Sequence, residues 1–345
     1  MIAFFPEFYP DELLYSVLAR YYIHSGYCSY ICVADDLYVK RTTRPDIEFL
    51  NHFTSDAFNV LTKNINIESI ILNHTMFPYY ARFLAKERRI NAFNAMLNME
   101  GNYHNLLRIP KCSEKRYLKY CPLCVDEDRK KYSEAYWHRI HQLMRVNICP
   151  VHKCKLLNSD VEINSDFTPS LISCELSVNQ CDNVTFSDNI LECQIAEYVS
   201  DVFLAEVDME SDIKTGDFFH SELSFTKYKS VCGKKVYMSL LYQDINERFK
   251  SMNKNVFCKQ HQLEKIFSGY RTNTYDICLL AIFLNISTQR LINLTLPEKT
   301  QKELFDEKIL TLKSRGLNYR QIAQRLNASY DYVKVRGRNL CKDMI

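Results

Sequence analysis

The sequence predicts a mainly α-helical protein of several domains. Its 345 residues are enough for two or three domains of ordinary size. Only 7 residues are glycine, which favours helices over a fold rich in tight hairpins. Hydrophobic residues make up 47% and charged residues 25% of the chain, values typical of soluble globular proteins. A disordered chain is therefore not expected.

Two other classes are disfavoured by what the sequence lacks. The longest apolar stretches, such as residues 277–286, are shorter than the ~20 residues that span a bilayer, so we expect no membrane contact. The seven scattered glycines form neither a GxxxxGK[ST] loop nor a GxGxxG loop, which are the common phosphate-binding motifs. Nucleotide-driven chemistry is therefore not expected either.

The first elements are helices, and residues 1–105 are predicted to form an N-terminal helical domain. A helix is predicted over residues 11–24, where Leu13, Leu14 and Val17 begin an apolar stripe at helical spacing. Further helices are predicted over residues 46–53, 81–99 and 193–205.

The predicted helix over residues 81–99 alternates basic and apolar side chains. One face should pack in the core while the other is basic, which makes the basic side chains candidates for DNA contact. These candidates are Arg82, Lys86, Arg88 and Arg89.

Residues 106–157 lack hydrophobic periodicity and contain two knuckles of metal-ligand spacing. Cys121-x-x-Cys124 is followed, after 24 intervening residues, by Cys149-x-x-His152. Each tight turn points two donors at one ion, and a Cys₃His set fills the four positions of a structural zinc. We therefore predict a structural zinc-binding module at these four residues. Two unrelated pairs of buried side chains are the alternative.

Four other potential ligands near this module are given lesser roles. His138 and His141 could compete for the metal, but we assign them to packing and to hydrogen bonds around it because four better donors close the site. Cys174 and Cys181 have no matching second pair and are interpreted as apolar filling.

The cysteine usage also predicts a cellular compartment. The chain has 14 cysteines, and its first residues resemble no signal peptide. We therefore expect a cytoplasmic, nucleoid-associated protein with reduced thiols, in which paired cysteines bind metal.

Charge is distributed unevenly along the chain. Residues 158–226 contain fifteen acidic residues and a single basic one, Lys214, while the other 276 residues contain 43 basic and 26 acidic ones. Basic blocks on both sides of an acidic middle segment suit a protein that contacts a polyanion at both ends. The alternative is an acidic face that merely solvates the middle segment. Residues 227–300 return to helical patterns and are predicted to form a second helical domain.

Residues 301–345 have the layout of a helix-turn-helix. Asn318 and Gln321 resemble a capping box, Ala323 is small where two helices must approach, and Asn327 can adopt the left-handed turn conformation. Residues 305–345 contain nine basic and four acidic residues, so the outer faces suit phosphate contacts and major-groove reading. A unit that docks protein, or a plain helical hairpin, is the alternative. The candidate DNA contacts are Arg320, Gln321, Arg325, Tyr330, Tyr332, Lys334, Arg336 and Arg338. The predicted fold class is thus mainly α and multi-domain, with helix-turn-helix-type helical domains around a small Cys₃His zinc-binding module.

Several of these motifs together resemble the TnsD/TniQ family of target-selection proteins from bacterial transposons. Phe5-Pro6 and residues 9–20 (YPDELLYSVLAR) resemble the family's N-terminal signature, and residues 74–80 and 86–89 are closer to its TnsD branch. The zinc pattern is similar in order, through residues 120–124, 136–139, 141–143 and 149–152. The resemblance is strong to about residue 157 and fainter over residues 257–284.

The resemblance implies a non-catalytic selector that binds double-stranded DNA at a chromosomal attachment site and recruits the AAA+ ATPase TnsC, and through it the transposase. It also implies that the N-terminal region contacts TnsC, while the zinc module and the C-terminal helices hold DNA. The family includes TniQ adaptors that link a CRISPR effector complex to TnsC, and this remains the second hypothesis. An enzyme such as a nuclease or transposase is the third, because scattered acidic residues could form a metal-binding triad.

Overall fold

The structure is a computed structural model that describes residues 2, 4–109, 115–163, 170–178, 183–252, 256–269 and 273–342. Within these residues it has eighteen α-helices, one short 3₁₀ helix and a two-stranded antiparallel sheet, which confirms the predicted mainly α fold. No helix among them combines the length and the apolar character needed to cross a membrane.

The helices and strands follow one another along the chain with short connections. In chain order they are α1 (Leu14–His24), α2 (Tyr30–Leu37), α3 (Ser55–Leu61), α4 (Ile67–His74), α5 (Phe77–Ala81), α6 (Lys86–Leu97), α7 (Tyr103–Leu106), β1 (Tyr117–Tyr120), α8 (Pro122–Tyr132), the 3₁₀ helix (Ile140–Gln142), β2 (Leu157–Glu162), α9 (Cys174–Ser177), α10 (Ile190–Leu204), α11 (Thr215–Glu222), α12 (Met238–Arg248), α13 (Gln260–Ser268), α14 (Thr274–Phe283), α15 (Thr288–Asn293), α16 (Gln301–Ser314), α17 (Tyr319–Arg325) and α18 (Tyr330–Lys342).

The chain folds into two compact units. Unit 1 comprises Met1–Asp212, Asn273–Ile282 and Ser287–Ile292, and unit 2 comprises Ile213–Thr272, Phe283–Ile286 and Asn293–Ile345. The first division falls inside the acidic segment, residues 158–226. The finer division into five domains stays a prediction.

In unit 1, the first eight residues of helix α1, from Leu14 to Tyr21, are all buried. It begins three residues later than predicted because Asp11 has a left-handed backbone conformation (φ 56°) and Glu12 forms an isolated β-bridge with His138. This bridge joins the N-terminal segment to the residues between the two metal knuckles. The sheet beside it pairs β1 with β2 through the register Lys119 to Asn158.

Of three helix predictions in unit 1, one is wrong and two are confirmed. Residues 46–53 form a bend at 47–49 and an isolated β-bridge between Phe53 and Tyr38, because their carbonyl oxygens bond to distant partners: Glu48 accepts from the N–H of Met76 at 2.9 Å. The predicted helix over residues 81–99 is confirmed by α6, which begins five residues later than predicted, at Lys86. The third prediction is confirmed by α10, which the Asn189 side chain caps.

In unit 2, helices α11 and α13 touch through a glycine. A Cβ atom at Gly216 would lie 2.2 Å from the backbone oxygen of Phe267, so only glycine allows this approach. The C-terminal helices α16, α17 and α18 share a core of six buried residues: Phe305, Ile309, Leu312, Ile322, Ala323 and Val333.

Candidate metal centre and nucleic-acid interface

The first knuckle lies where β1 ends and α8 begins. Cys121 is the N-terminal capping residue of α8 and Pro122 follows in the first turn, where proline's fixed φ suits a helix start. Cys124 lies in the same turn, so both sulfurs point to one side of the helix start. Both residues are buried.

The second knuckle is a tight turn that follows a short bridge. The N–H of Lys153 donates to the carbonyl oxygen of Cys149 at 2.9 Å, and Lys153 itself has φ 58°. Inside the turn, the N–H of His152 points at the Cys149 sulfur, 3.4 Å away. The N–H of Cys149 donates to the carbonyl oxygen of Cys154 at 2.8 Å, which closes the other side of the turn.

The structure brings the four predicted ligands together. Their donor atoms, three Sγ and the Nδ1 of His152, all lie within 4.8 Å of one another. The Cys124 and Cys149 sulfurs are 3.8 Å apart, and Cys121 Sγ lies 3.5 Å from His152 Nδ1. Ligands of a tetrahedral zinc with Zn–S near 2.3 Å lie about 3.8 Å apart. The spacing therefore fits a metal ion.

The chemistry of the centre also fits a metal. Hydrogen bonding with Cys124 and Cys149 lowers the pKa of the Cys121 thiol, whereas hydrogen bonding with Cys121 and Cys149 raises the pKa of Cys124, so the cluster favours a thiolate at Cys121 and metal binding would release the remaining thiol protons. The second ring nitrogen of His152 lies 3.2 Å from the Glu127 carboxylate, which orients the ring. Four protein donors leave no position for a catalytic water, so the centre can hold a metal ion that stabilises the fold.

Two further histidines lie beside the centre but are not among its four donors. His138 pairs with Asp128 at 2.9 Å. His141 is fully buried, and its Nε2 lies 3.6 Å from Cys124 Sγ and 3.8 Å from Cys149 Sγ. Burial lowers the pKa of His141 to about 4, so it is neutral at pH 7 and can donate Nε2–H to the sulfurs. Cys174 is buried, whereas Cys181 lies outside the described residues.

A buried ionic network, which the sequence did not predict, ties the centre to the N-terminal segment. Arg139 pairs with Asp11 at 3.0 Å and also donates to the carbonyl oxygens of Leu72 and Thr75. Arg20 pairs with Glu12 at 3.0 Å and with Glu134 at 2.8 Å. The only signal for this network in the sequence is the presence of charged residues inside otherwise apolar stretches.

The C-terminal helices have the predicted helix-turn-helix details. Both hydrogen bonds of the Asn318–Gln321 capping box are present, and Asn327 has φ 49° in the turn. Val333 is fully buried against Ile322, so the opposite side of α18 faces solvent. The predictions for the cap, the turn and this part of the core are confirmed.

The candidate DNA contacts on these helices divide into two groups. Tyr332 and Arg336 turn toward α16: Tyr332 packs near Phe305, and Arg336 pairs with Asp306 at 2.9 Å. Gln321 is exposed, but its side chain takes part in the capping box. The remaining candidates lie at the surface, with Lys334 half-buried against the ring of Tyr330. These are Arg320, Arg325, Tyr330, Lys334 and Arg338.

The four candidates near α6 do not form a free basic face. Arg82 is buried and donates to the carbonyl oxygens of Ala205 and Glu206. Arg89 is also buried and donates to the carbonyl oxygens of Met209 and Ser211. These bonds engage both guanidinium groups inside unit 1.

The other two basic residues of this helix also have partners. Lys86 pairs with Glu210 at 2.8 Å. Arg88 donates to the Leu106 carbonyl oxygen at 3.2 Å. All four basic side chains therefore have partners within unit 1.

Comparison with known proteins identifies the N-terminal part of the chain. Residues 3–156 match the TniQ family model. Over 153 residues the chain is 33% identical to the transposon Tn7 transposition protein TnsD of Escherichia coli. The aligned region covers 43% of this chain and 30% of that relative. The chain therefore spans less than a third of the length of that relative. Residues 3–156 therefore match a TniQ domain and are similar to TnsD, which confirms the resemblance over that region.

Proposed function

We propose that this chain is a non-catalytic target-site selector of a bacterial transposon. The observation that carries this proposal is the TniQ match over residues 3–156, together with the identity to a protein named as a transposition protein. The matched region contains α1 to α8 and both metal knuckles. A closed Cys₃His centre agrees with a role that requires no catalysis at the metal.

Zinc is the metal we propose for the centre. Three thiols and one imidazole are the donor set of structural zinc sites, and the spacing between the donors agrees with a tetrahedron. When bound, zinc would supply folding free energy to residues between β1 and β2. The two knuckles would supply the four donors, and Glu127 holds the His152 ring in position.

The C-terminal helix-turn-helix is the proposed DNA-binding element. On α18, the residues opposite the buried Val333 are Asp331, Val335 and Arg338, and Val335 is 60% exposed. An exposed β-branched side chain contributes nothing to this core, but it suits contact with a thymine methyl group in the major groove. Arg338 can reach a guanine edge, and Arg320 on α17 suits a backbone phosphate.

The proposed partners follow from the family. The N-terminal region would contact the AAA+ ATPase TnsC, which then engages the transposase, while the C-terminal helices bind double-stranded attachment-site DNA. This chain would thereby connect a chosen site to the transposition machinery.

The test is binding of the purified, zinc-loaded chain to duplexes from the transposon's natural insertion point, compared with shuffled duplexes at fixed salt. A preference of about a thousandfold or more supports a self-sufficient site reader. Equal weak binding to both contradicts it and favours the adaptor hypothesis, in which a CRISPR effector complex supplies the target.

Single substitutions locate the interface. We expect Arg320→Ala and Arg338→Ala to weaken binding, and loss of a phosphate contact should lower the salt slope by about one unit. Arg41→Ala in unit 1 removes the same charge from an exposed pair with Asp35 and serves as the control. If all three variants bind like the wild type, α17 and α18 are not the interface.

A further inference from the structure

A fifth sulfur lies beside the metal centre. Cys154 is fully buried, and its Sγ is 3.3 Å from the Sγ of Cys121. This is shorter than the 3.8 Å between the Cys124 and Cys149 sulfurs. No motif in the sequence singled out this residue, because it stands two positions beyond the Cys-x-x-His spacing that defines the second knuckle.

The backbone around Cys154 holds its side chain against the centre. Its carbonyl oxygen accepts from the N–H of Cys149, and its backbone pairs in a β-bridge with Phe186. The next residue, Lys155, donates its N–H to the carbonyl oxygen of Thr185 at 2.8 Å. Cys154 follows the two ligands of the second knuckle, and this turn fixes its backbone. Its sulfur contacts Cys121, which is a ligand of the first knuckle.

The surroundings of the centre are asymmetric. Among the described contacts, the sulfur of Cys154 meets the Cys121 sulfur, whereas His141 contacts Cys124 and Cys149 on another side. A 120° change of χ1 moves a cysteine sulfur by about 3 Å, which is close to the observed separation from Cys121 Sγ. A change of rotamer is therefore large enough to span the 3.3 Å between the two sulfurs.

We propose that Cys154 is a reserve metal ligand that replaces Cys121 and no other ligand. When Cys121 is unavailable, a bond forms between the metal and Cys154 Sγ, and the thiol proton leaves to water. The centre then keeps three thiolates and His152. When Cys121 is bound, Cys154 remains a thiol and its S–H can donate to the Cys121 sulfur. The inference rests on the zinc centre proposed above.

The test counts thiolates in the full-length chain loaded with Co²⁺, through the intensity of sulfur-to-cobalt charge-transfer absorption. We expect the wild type, Cys154→Ala and Cys121→Ala all to show three thiolates. Cys124→Ala and the double variant Cys121→Ala/Cys154→Ala should show two, or bind no cobalt. Cys174→Ala, which removes a buried cysteine that belongs to neither knuckle, is the control and should match the wild type.

Zinc affinity, measured by competition with a chelating dye, provides a second readout. Cys121→Ala should lose less than about tenfold, and the double variant more than about a hundredfold. A wild type that binds neither metal contradicts the zinc centre itself. If the wild type binds metal but Cys121→Ala loses as much as Cys124→Ala, or is insoluble like it, the centre stands and the reserve ligand is refuted.

Discussion

Arg139 offers the most direct test of how the metal module is held against the N-terminal segment. Its side chain is 6% exposed and contacts three partners: the Asp11 carboxylate and the carbonyl oxygens of Leu72 and Thr75. The guanidinium also lies 4.9 Å from the ring centre of Phe203. Arg139→Met keeps much of the apolar stem but leaves a carboxylate and two carbonyl oxygens without this donor.

We expect Arg139→Met to lower the free energy of unfolding by about 3–5 kcal/mol, the usual result of removing one partner from a buried ion pair. Arg139→Lys should lose part of this, because one ammonium group cannot span three acceptors as the planar fork does. The assay is urea unfolding with zinc in excess, so that metal loss does not enter. Arg41→Met, which breaks an exposed pair, is the matched control and should change little. Equal effects of Arg139→Met and Arg41→Met would refute the reasoning.

Three further predictions test other parts of the structure. Burial lowers the pKa of His74 to about 4, so the folded state favours the neutral imidazole. The free energy of unfolding should therefore fall as the pH drops from 6.5 toward 4, by at most about 3 kcal/mol. In urea titrations at each pH, His74→Gln should flatten this dependence. Gly337→Ala places a Cβ 2.6 Å from the Tyr319 ring. The overpacking cost of about 1–3 kcal/mol should exceed the gain of about 1 kcal/mol in helix propensity and lower Tm, whereas Val335→Ala, at an exposed position, should not lower it. A higher Tm for Gly337→Ala would contradict the close packing. Removal of zinc by a chelator, or Cys149→Ser, should abolish the cooperative unfolding of unit 1 in calorimetry, and an unchanged transition would show that the centre has no structural role.

The features that the sequence predicted correctly have local causes. A Cys-x-x-Cys turn needs only four residues to define its geometry, and the Asn318–Gln321 capping box forms within a single turn of helix. The apolar stripe that begins at Leu13 likewise requires only helical spacing. Each pattern determines its own structure because the interacting residues are neighbours in the chain.

The features that the sequence did not predict depend on distant partners. The helix predicted over residues 46–53 has reasonable periodicity, but the carbonyl oxygen of Glu48 accepts from the N–H of Met76, and that of His52 accepts from the N–H of Val39. The contact of Cys154 with Cys121 joins residues 33 positions apart, and the pair of Arg139 with Asp11 joins residues 128 apart. No local spacing encodes either contact.

The basic residues show why charge alone does not locate a DNA-binding face. Arg82 and Arg338 have the same side chain and the same charge. Arg82, however, is 6% exposed and donates to two carbonyl oxygens, while Arg338 is exposed on α18. A guanidinium that satisfies buried carbonyl oxygens cannot contact a phosphate without leaving them unpaired, at a cost of about 1–3 kcal/mol for each. An arginine at the surface has no such cost. Of the basic residues that the sequence offered as DNA contacts, the favourable ones are therefore those whose side chains the fold does not use.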